Sequence, residues 1–323
     1  MDGFLSVFTI ELLNSGIRLA TPVLLAALGG TICNKSGVLN MALEAKMLMG
    51  AFVGIVAAYY LNNSYLGLLA AMLAGGLMGS IFAFLYHRYN INLAILATSF
   101  NLLVLELTVY MMRVMFGNVG TWSDPSIERL PDIAIPVIKD IPFIGRIFSG
   151  YNIVVYASWA FVIVLYVVLY KTKFGRHIRA VGENIESAET VGINAKLIQS
   201  LALFLSGAFA GLGGAFLSIG HLKLFTRNMS NGRGWTGLSA ALFGGNHPIT
   251  TFFASIFFGY TEAFAVRVQN VTELSPQLVE VLPHLATLLI LVLVAFRDKI
   301  RVSLARRKFR ENLKKAVASQ EEG

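Results

Sequence analysis

Apolar residues along this chain fall in long unbroken blocks rather than in alternating or short-period patterns. Three blocks, Ser64 to Tyr86, Tyr151 to Tyr170 and Leu197 to Gly220, contain no charged residue. About 20 apolar helical residues cross a bilayer core about 30 Å thick, so each block predicts a membrane span. Three more, at about 17–33, 41–61 and 91–115, carry isolated charges: Arg18, Glu44 with Lys46, and Glu106 with Arg113. The run from Trp235 to Ala265 is broken by Gly244-Gly245-Asn246-His247-Pro248, which predicts a short half-span, a turn and a longer helix. A last block, about 278–296, ends at Arg297. The pattern predicts an all-α integral membrane protein: a polytopic bundle of about nine transmembrane segments (8–10), one of them interrupted or a half-span. Residues 3–14 are expected as an extra interfacial helix. The transmembrane domain is expected over residues 1–296, and a basic tail over 297–323.

Composition agrees with the pattern and removes other classes. The chain is 56% hydrophobic and 14% charged, with mean hydropathy +0.67, against about 45–50% and about 25% in soluble domains. Neither a soluble globule nor a disordered chain fits. The net charge of +8 is concentrated: Arg297 to Lys315 holds nine Lys/Arg against Asp298 and Glu311. A basic run directly after a span points to a cytoplasmic tail lying against anionic lipid, not to a nucleic-acid-binding face. The Lys/Arg bias then puts the loops near 34–40, 87–90, 171–196 and 246–248 on the tail's side, and those at 117–150, 221–234 and 266–277 outside. The expectation is a multi-pass protein of the cell (inner or cytoplasmic) membrane with its C-terminus in the cytoplasm. The first sixteen residues hold Asp2 and Glu11 and no Lys or Arg, so no cleavable signal peptide is expected.

Close helix packing is signalled by the GxxxG pairs Gly50/Gly54, Gly75/Gly79 and Gly207/Gly211. Cys33 is the single cysteine and the five histidines are scattered, so neither a disulfide nor a metal site is expected. There is no GxxxxGK[ST] phosphate loop, and no HExxH or GxSxG motif. The chain should therefore hydrolyse no ATP by itself and is not expected to be a membrane protease or lipase.

Polar residues inside spans are costly unless they face a partner or a cavity, which makes them candidates for a transport path. Asn40 and Glu44 lie at i and i+4 near the start of a span; they either line a path or satisfy the helix terminus. Thr98, Asn101 and Thr108 share a face of the 91–115 span, where path lining competes with interhelical hydrogen bonding. Glu106 lies about 13 Å from that span's end at 1.5 Å per residue. Trp235 opens the interrupted segment and could stack on a ring or simply sit at the interface. Glu262 is a further candidate, and Glu280 with His284 suggests an ordinary helical pair.

The segment KTKFGRHIRAVGENIESAETVGINAK, residues 171–196, is long and charged, with an amphipathic middle. Asn184 can cap a two-turn helix over 185–191, and Gly192 suits its left-handed stop. Ile185, Ala188 and Val191 form an apolar stripe fit either for a partner or for an ordinary loop helix. This segment resembles the cytoplasmic coupling loop of ABC importer permeases of the branched-chain amino acid and ribose permease superfamily. Phe174, Gly175, Arg176, Arg179, Ala180, Gly182, Asn184, Ala188, Gly192 and Ile193 match that loop in order and spacing, and the resemblance implies coupling to the ATPase through this stretch, Glu183 included. Residues 20–52 and 232–248 resemble the nucleoside/simple-sugar branch, and SGVLNMALE is the most diagnostic stretch. Ala45-Lys46 stands where that branch carries Gly and an uncharged residue.

The resemblance implies a permease subunit of an ABC importer, with nucleosides as cargo and a simple sugar or riboflavin as the rival. It implies an ATPase subunit docking on 171–196, a second permease subunit (homologous or identical) and an extracytoplasmic substrate-binding protein, all around the lipid bilayer. The chain itself would be no enzyme and bind no cofactor, ATP-Mg belonging to the ATPase. An ion-coupled secondary transporter is the rival class, supported by the interrupted segment.

Overall fold

In a computed structural model, the described residues are 10–117, 120–133 and 149–271. The chain runs α1 (Ile10–Lys35), α2 (Leu43–Leu61), α3 (Ser64–Tyr89), α4 (Leu93–Phe116), α5 (Ile153–Lys171), α6 (Lys173–Glu183), α7 (Ile185–Thr190), α8 (Ala195–Ala215), α9 (Arg233–Phe243) and α10 (Pro248–Val271). Seven of the described helical segments are long and apolar enough to cross a membrane, and the eleven-residue α9 adds a half-length piece. The expected ninth segment, about 278–296, and the tail 297–323 lie outside the described residues. Residues 10–14 form no separate interfacial helix: they are the first turn of α1, which runs unbroken through Gly16, a residue kept small by the Tyr260 ring packed on it. Two-residue strands β1 (Thr121–Trp122), β2 (Asp132–Ile133), β3 (Tyr151–Asn152) and β4 (Phe225–Thr226) pair antiparallel as β1–β4 and β2–β3. They tie together the loops at the end of the bundle opposite α6 and α7.

Asparagine starts five of the helices. The side chains of Asn63, Asn92, Asn152, Asn184 and Asn194 each accept a hydrogen bond from a free first-turn amide. Those amides have no partner within the helix, so the caps fix where it begins.

The centre of the bundle is α8, packed against α1, α2 and α3. Its small residues let backbones touch. A Cβ at Gly207 would lie 2.1 Å from the Gly75 carbonyl oxygen, and one at Gly211 2.3 Å from that of Ala71. In hydrocarbon, where apolar burial supplies no drive, such contact is the source of association. At its far end α8 passes into π-helical turns over Phe216–Leu222, where Asn152 Nδ2 donates to the Gly220 carbonyl at 3.0 Å. A side chain inserted at a carbonyl is a recognised cause of such widening.

Two elements start in the middle of the bundle rather than at its surface. After α1 ends, residues 36–42 turn back inward. The amide of Gln199 donates to the Ser36 carbonyl, and four residues later Asn40 reaches Ser206, near the midpoint of α8 and its π-helical extension. α2 therefore begins deep. The loop after β4 likewise descends to α9, whose Gly237 packs on Val23, Ala26 and Ala27, midway along α1. α9 then runs to the α6–α7 end, where Asn34 donates to Asn246 at 2.7 Å.

Candidate functional site

The N-termini of α2 and α9 meet at Glu44. Its Oε1 accepts from the Gly232 amide and its Oε2 from the Gly234 amide, both at 2.8 Å. Gly234 is required, since a Cβ there would stand 2.5 Å from the Glu44 nitrogen. The carboxylate thus lies in the first turn of its own helix and caps a second, where both dipoles favour negative charge. One turn away, Asn101 of α4 caps α2: its Oδ1 accepts from the Ala45 amide at 3.0 Å, and its Nδ2 donates to the Met41 carbonyl at 3.3 Å. Asn40 is fully buried; it donates to Ser206 Oγ at 2.8 Å and accepts from the Ala42 amide at 3.2 Å and Lys46 Nζ at 2.8 Å. Lys46 is itself completely buried, with its ammonium 4.8 Å from the centre of the Phe82 ring. It makes no ion pair among the described residues.

Asn40, Glu44 and Asn101 are therefore brought together around one helix start. Trp235, next to Gly234, stands beside the same turn with 43% of its surface exposed. Glu262 reaches the site through Arg233, the first residue of α9, with which it forms a half-buried ion pair. Thr98 is not part of the cluster: it is exposed, and its hydroxyl donates to the Ala94 carbonyl. Thr108 is buried and bonds the Leu105 carbonyl within its own helix. Glu106 pairs with Arg227 at 3.0 Å, their side chains 64% and 56% exposed on the flank of α4. Lys46, Ser206, Arg227 and Arg233 were not among the sequence candidates. A charge inside a span marked Lys46. Ser206 sits in an apolar run and the two arginines in a loop and a helix start, so no local pattern marks them.

The 171–196 segment forms α6 and α7 at the opposite end from the strands. Thr172 Oγ1 donates to the Val168 carbonyl at 2.6 Å and accepts from the Gly175 amide at 3.1 Å, turning α5 into α6. Gly175 lies on the Val168 and Leu169 carbonyls, and Gly182 on that of Lys35, where a Cβ would come within 2.1 Å. Phe174 is half-buried on the core, and the Arg179 guanidinium lies 5.1 Å from the centre of the Tyr170 ring. Asn184 Oδ1 accepts from the Ser187 amide at 2.8 Å, and Gly192 takes φ +83°. The Gly192 and Ile193 amides donate to the Glu189 and Ala188 carbonyls, closing α7. The expected apolar stripe is split. Ala188 is 3% exposed and packs inward, whereas Ile185 and Val191 are 43% and 75% exposed. The small methyl fits against the chain's own helices, so Ala188 is not available to a partner. Arg176, Glu183, Ile185 and Val191 form the outward surface.

The family described as branched-chain amino acid transport system / permease component matches residues 12–294. The guanosine ABC transporter permease protein NupQ of Bacillus subtilis is 33% identical over 256 residues, 76% of this chain and 79% of that protein. The nucleoside ABC transporter permease protein NupC of Lactococcus lactis is 28% identical over 301 residues, 85% and 89% of the two chains. The glucose ABC transporter permease protein TsgB13 of Haloferax volcanii is 29% identical over 299 residues, 88% and 77%. No solved structure matches the chain.

Proposed function

Because this chain belongs to the family of branched-chain amino acid transport system permease components, we propose that it is the membrane-spanning subunit of an ABC importer whose cargo is a nucleoside. The observation that carries the cargo is the similarity, over most of the chain, to permeases named for guanosine and nucleosides. The mid-bundle site is compatible with it. Asn40 and Asn101 are neutral hydrogen-bonding groups, the Glu44 charge is taken up by backbone amides, and the exposed Trp235 indole offers a stacking surface. A neutral, hydroxylated molecule with an aromatic base suits such a lining. A simple sugar is the second reading, favoured by the glucose-named relative.

The exposed Glu106–Arg227 pair supports a water-filled or protein-covered face on α4, since hydrocarbon does not solvate charge. A second permease subunit across that face is part of the proposal, as is a binding protein delivering cargo from outside. An ATPase subunit, carrying ATP-Mg, would dock on the outward residues of α6 and α7. The contact route inward is short. Gly182 lies on Lys35, Gly37 lies next to Gly182, and Asn40 follows three residues later. Closure of the ATPases would bias a two-state arrangement of this strip against α8 and so switch access.

The test is uptake by the reconstituted complex, with labelled guanosine competed by other nucleosides, ribose, glucose and riboflavin. Competition by nucleosides alone is expected. Competition by glucose but not nucleosides would move the assignment to sugars, and uptake driven by an ion gradient without ATP would overturn the ABC mechanism.

A further inference from the structure

A cavity of about 460 Å³ lies between the end of α3 and the start of α8, away from the mid-bundle cluster. Its lining includes Phe84, His87, Arg88, Lys196 and Leu197. The polar end of this lining holds Arg88, His87 and Lys196, and no carboxylate. None of the three makes an ion pair among the described residues, and His87 Nε2 is buried without a hydrogen-bond partner. Arg88 can be accounted for by the C-terminus of α3, where the dipole favours cations. Lys196 cannot. It sits in the first turn of α8, the helix end that disfavours positive charge. Such a site lacks an anion.

The apolar part of the surroundings says which kind. Phe84 and Leu197 are exposed at the cavity's edge, and exposed Ile81, Leu77 and Leu73 continue from Phe84 along one face of α3. From Leu73 to Phe84 the rise is about 16 Å at 1.5 Å per residue, close to half the bilayer core. Cations at the membrane boundary followed by one leaflet's depth of apolar surface match an amphipathic anion.

We propose that this cavity is a binding site for the headgroup of an anionic phospholipid, with the phosphodiester on Arg88, Lys196 and His87 and an acyl chain along Phe84, Ile81, Leu77 and Leu73. The site requires only that the chain spans a bilayer, so its fate is separate from that of the nucleoside assignment. The full-length chain, stripped of lipid in detergent, is titrated with phosphatidylglycerol, phosphatidylcholine or inorganic phosphate, and bound lipid is counted by native mass spectrometry. One phosphatidylglycerol is expected to bind in preference to phosphatidylcholine. Arg88→Gln with Lys196→Gln should weaken that preference roughly 25-fold, about fivefold for each cation. Both residues are exposed, and an unchanged melting temperature in phosphatidylcholine will show that the variant folds. Equal binding of the two lipids by the wild type overturns the proposal, as does an unaltered preference in the variant. Complete displacement of phosphatidylglycerol by millimolar inorganic phosphate would make it a free-phosphate site instead. Loss of ATPase co-purification in the variant with lipid preference intact would make it a protein contact.

Discussion

The carboxylate of Glu44 holds two helices at once, and its removal has a consequence large enough to measure. Glu44→Gln keeps one acceptor oxygen, which can still serve either Gly232 or Gly234. The other amide then faces an NH₂ group, donor against donor. A hydrogen bond to a charged group contributes about 1.5–3 kcal/mol, and an unsatisfied buried amide costs about 1–3 kcal/mol. Loss of the charge at two helix N-termini adds about 0.5 kcal/mol each. These terms overlap, and a destabilisation of about 3 kcal/mol is the expected net result. At about 2 °C or more per kcal/mol in a chain of this size, the melting temperature in detergent should fall by roughly 6–10 °C. Uptake should fall with it, because the start of α9 positions Trp235. Scanning fluorimetry of the full-length chain reads the first effect and proteoliposome uptake the second. A variant that melts within about 1 °C of the wild type, a shift well below that estimate, would refute the two-helix cap. If it also lost uptake, Glu44 would be touching cargo instead.

Three further outcomes test other parts of the structure. Gly192→Val places a β-branched residue at φ +83°, costing about 1–3 kcal/mol through backbone strain alone, since nothing lies within 4 Å of the new Cβ. It should insert normally but bind the ATPase more weakly, as read by co-purification. Ala188→Glu should destabilise the chain in fluorimetry by burying a charge, whereas Val191→Glu should leave the melting temperature unchanged and reduce ATPase binding; the reverse would mean that α7 is docked the other way round. Lys46→Met removes a buried cation that has only neutral partners, and Asn40 Oδ1 keeps the Ala42 amide. Stability should stay level or rise by about 1–3 kcal/mol in thermal unfolding, and a clear fall would show that Lys46 has a counter-charge in the assembled protein.

Local features of this protein were legible in its sequence where one segment contains all the physics. The charge-free blocks are helices, the break at Gly244 to Pro248 separates α9 from α10, and Asn184 and Gly192 bound α7. Each depends on chain stiffness or on the nearest few amides. What surrounds a side chain did not follow from pattern, because lipid-facing and core-facing positions are both apolar in a membrane and periodicity cannot distinguish them. The inward turn of Ala188 and the complete burial of Lys46 are of this kind. So are the cross-segment caps. Asn101 reaches the Ala45 amide across 56 residues and Glu44 the Gly234 amide across 190. Helix-start chemistry made both residues plausible partners for some free amide. Only the packing of α2, α4 and α9 against one another decided which amide it would be.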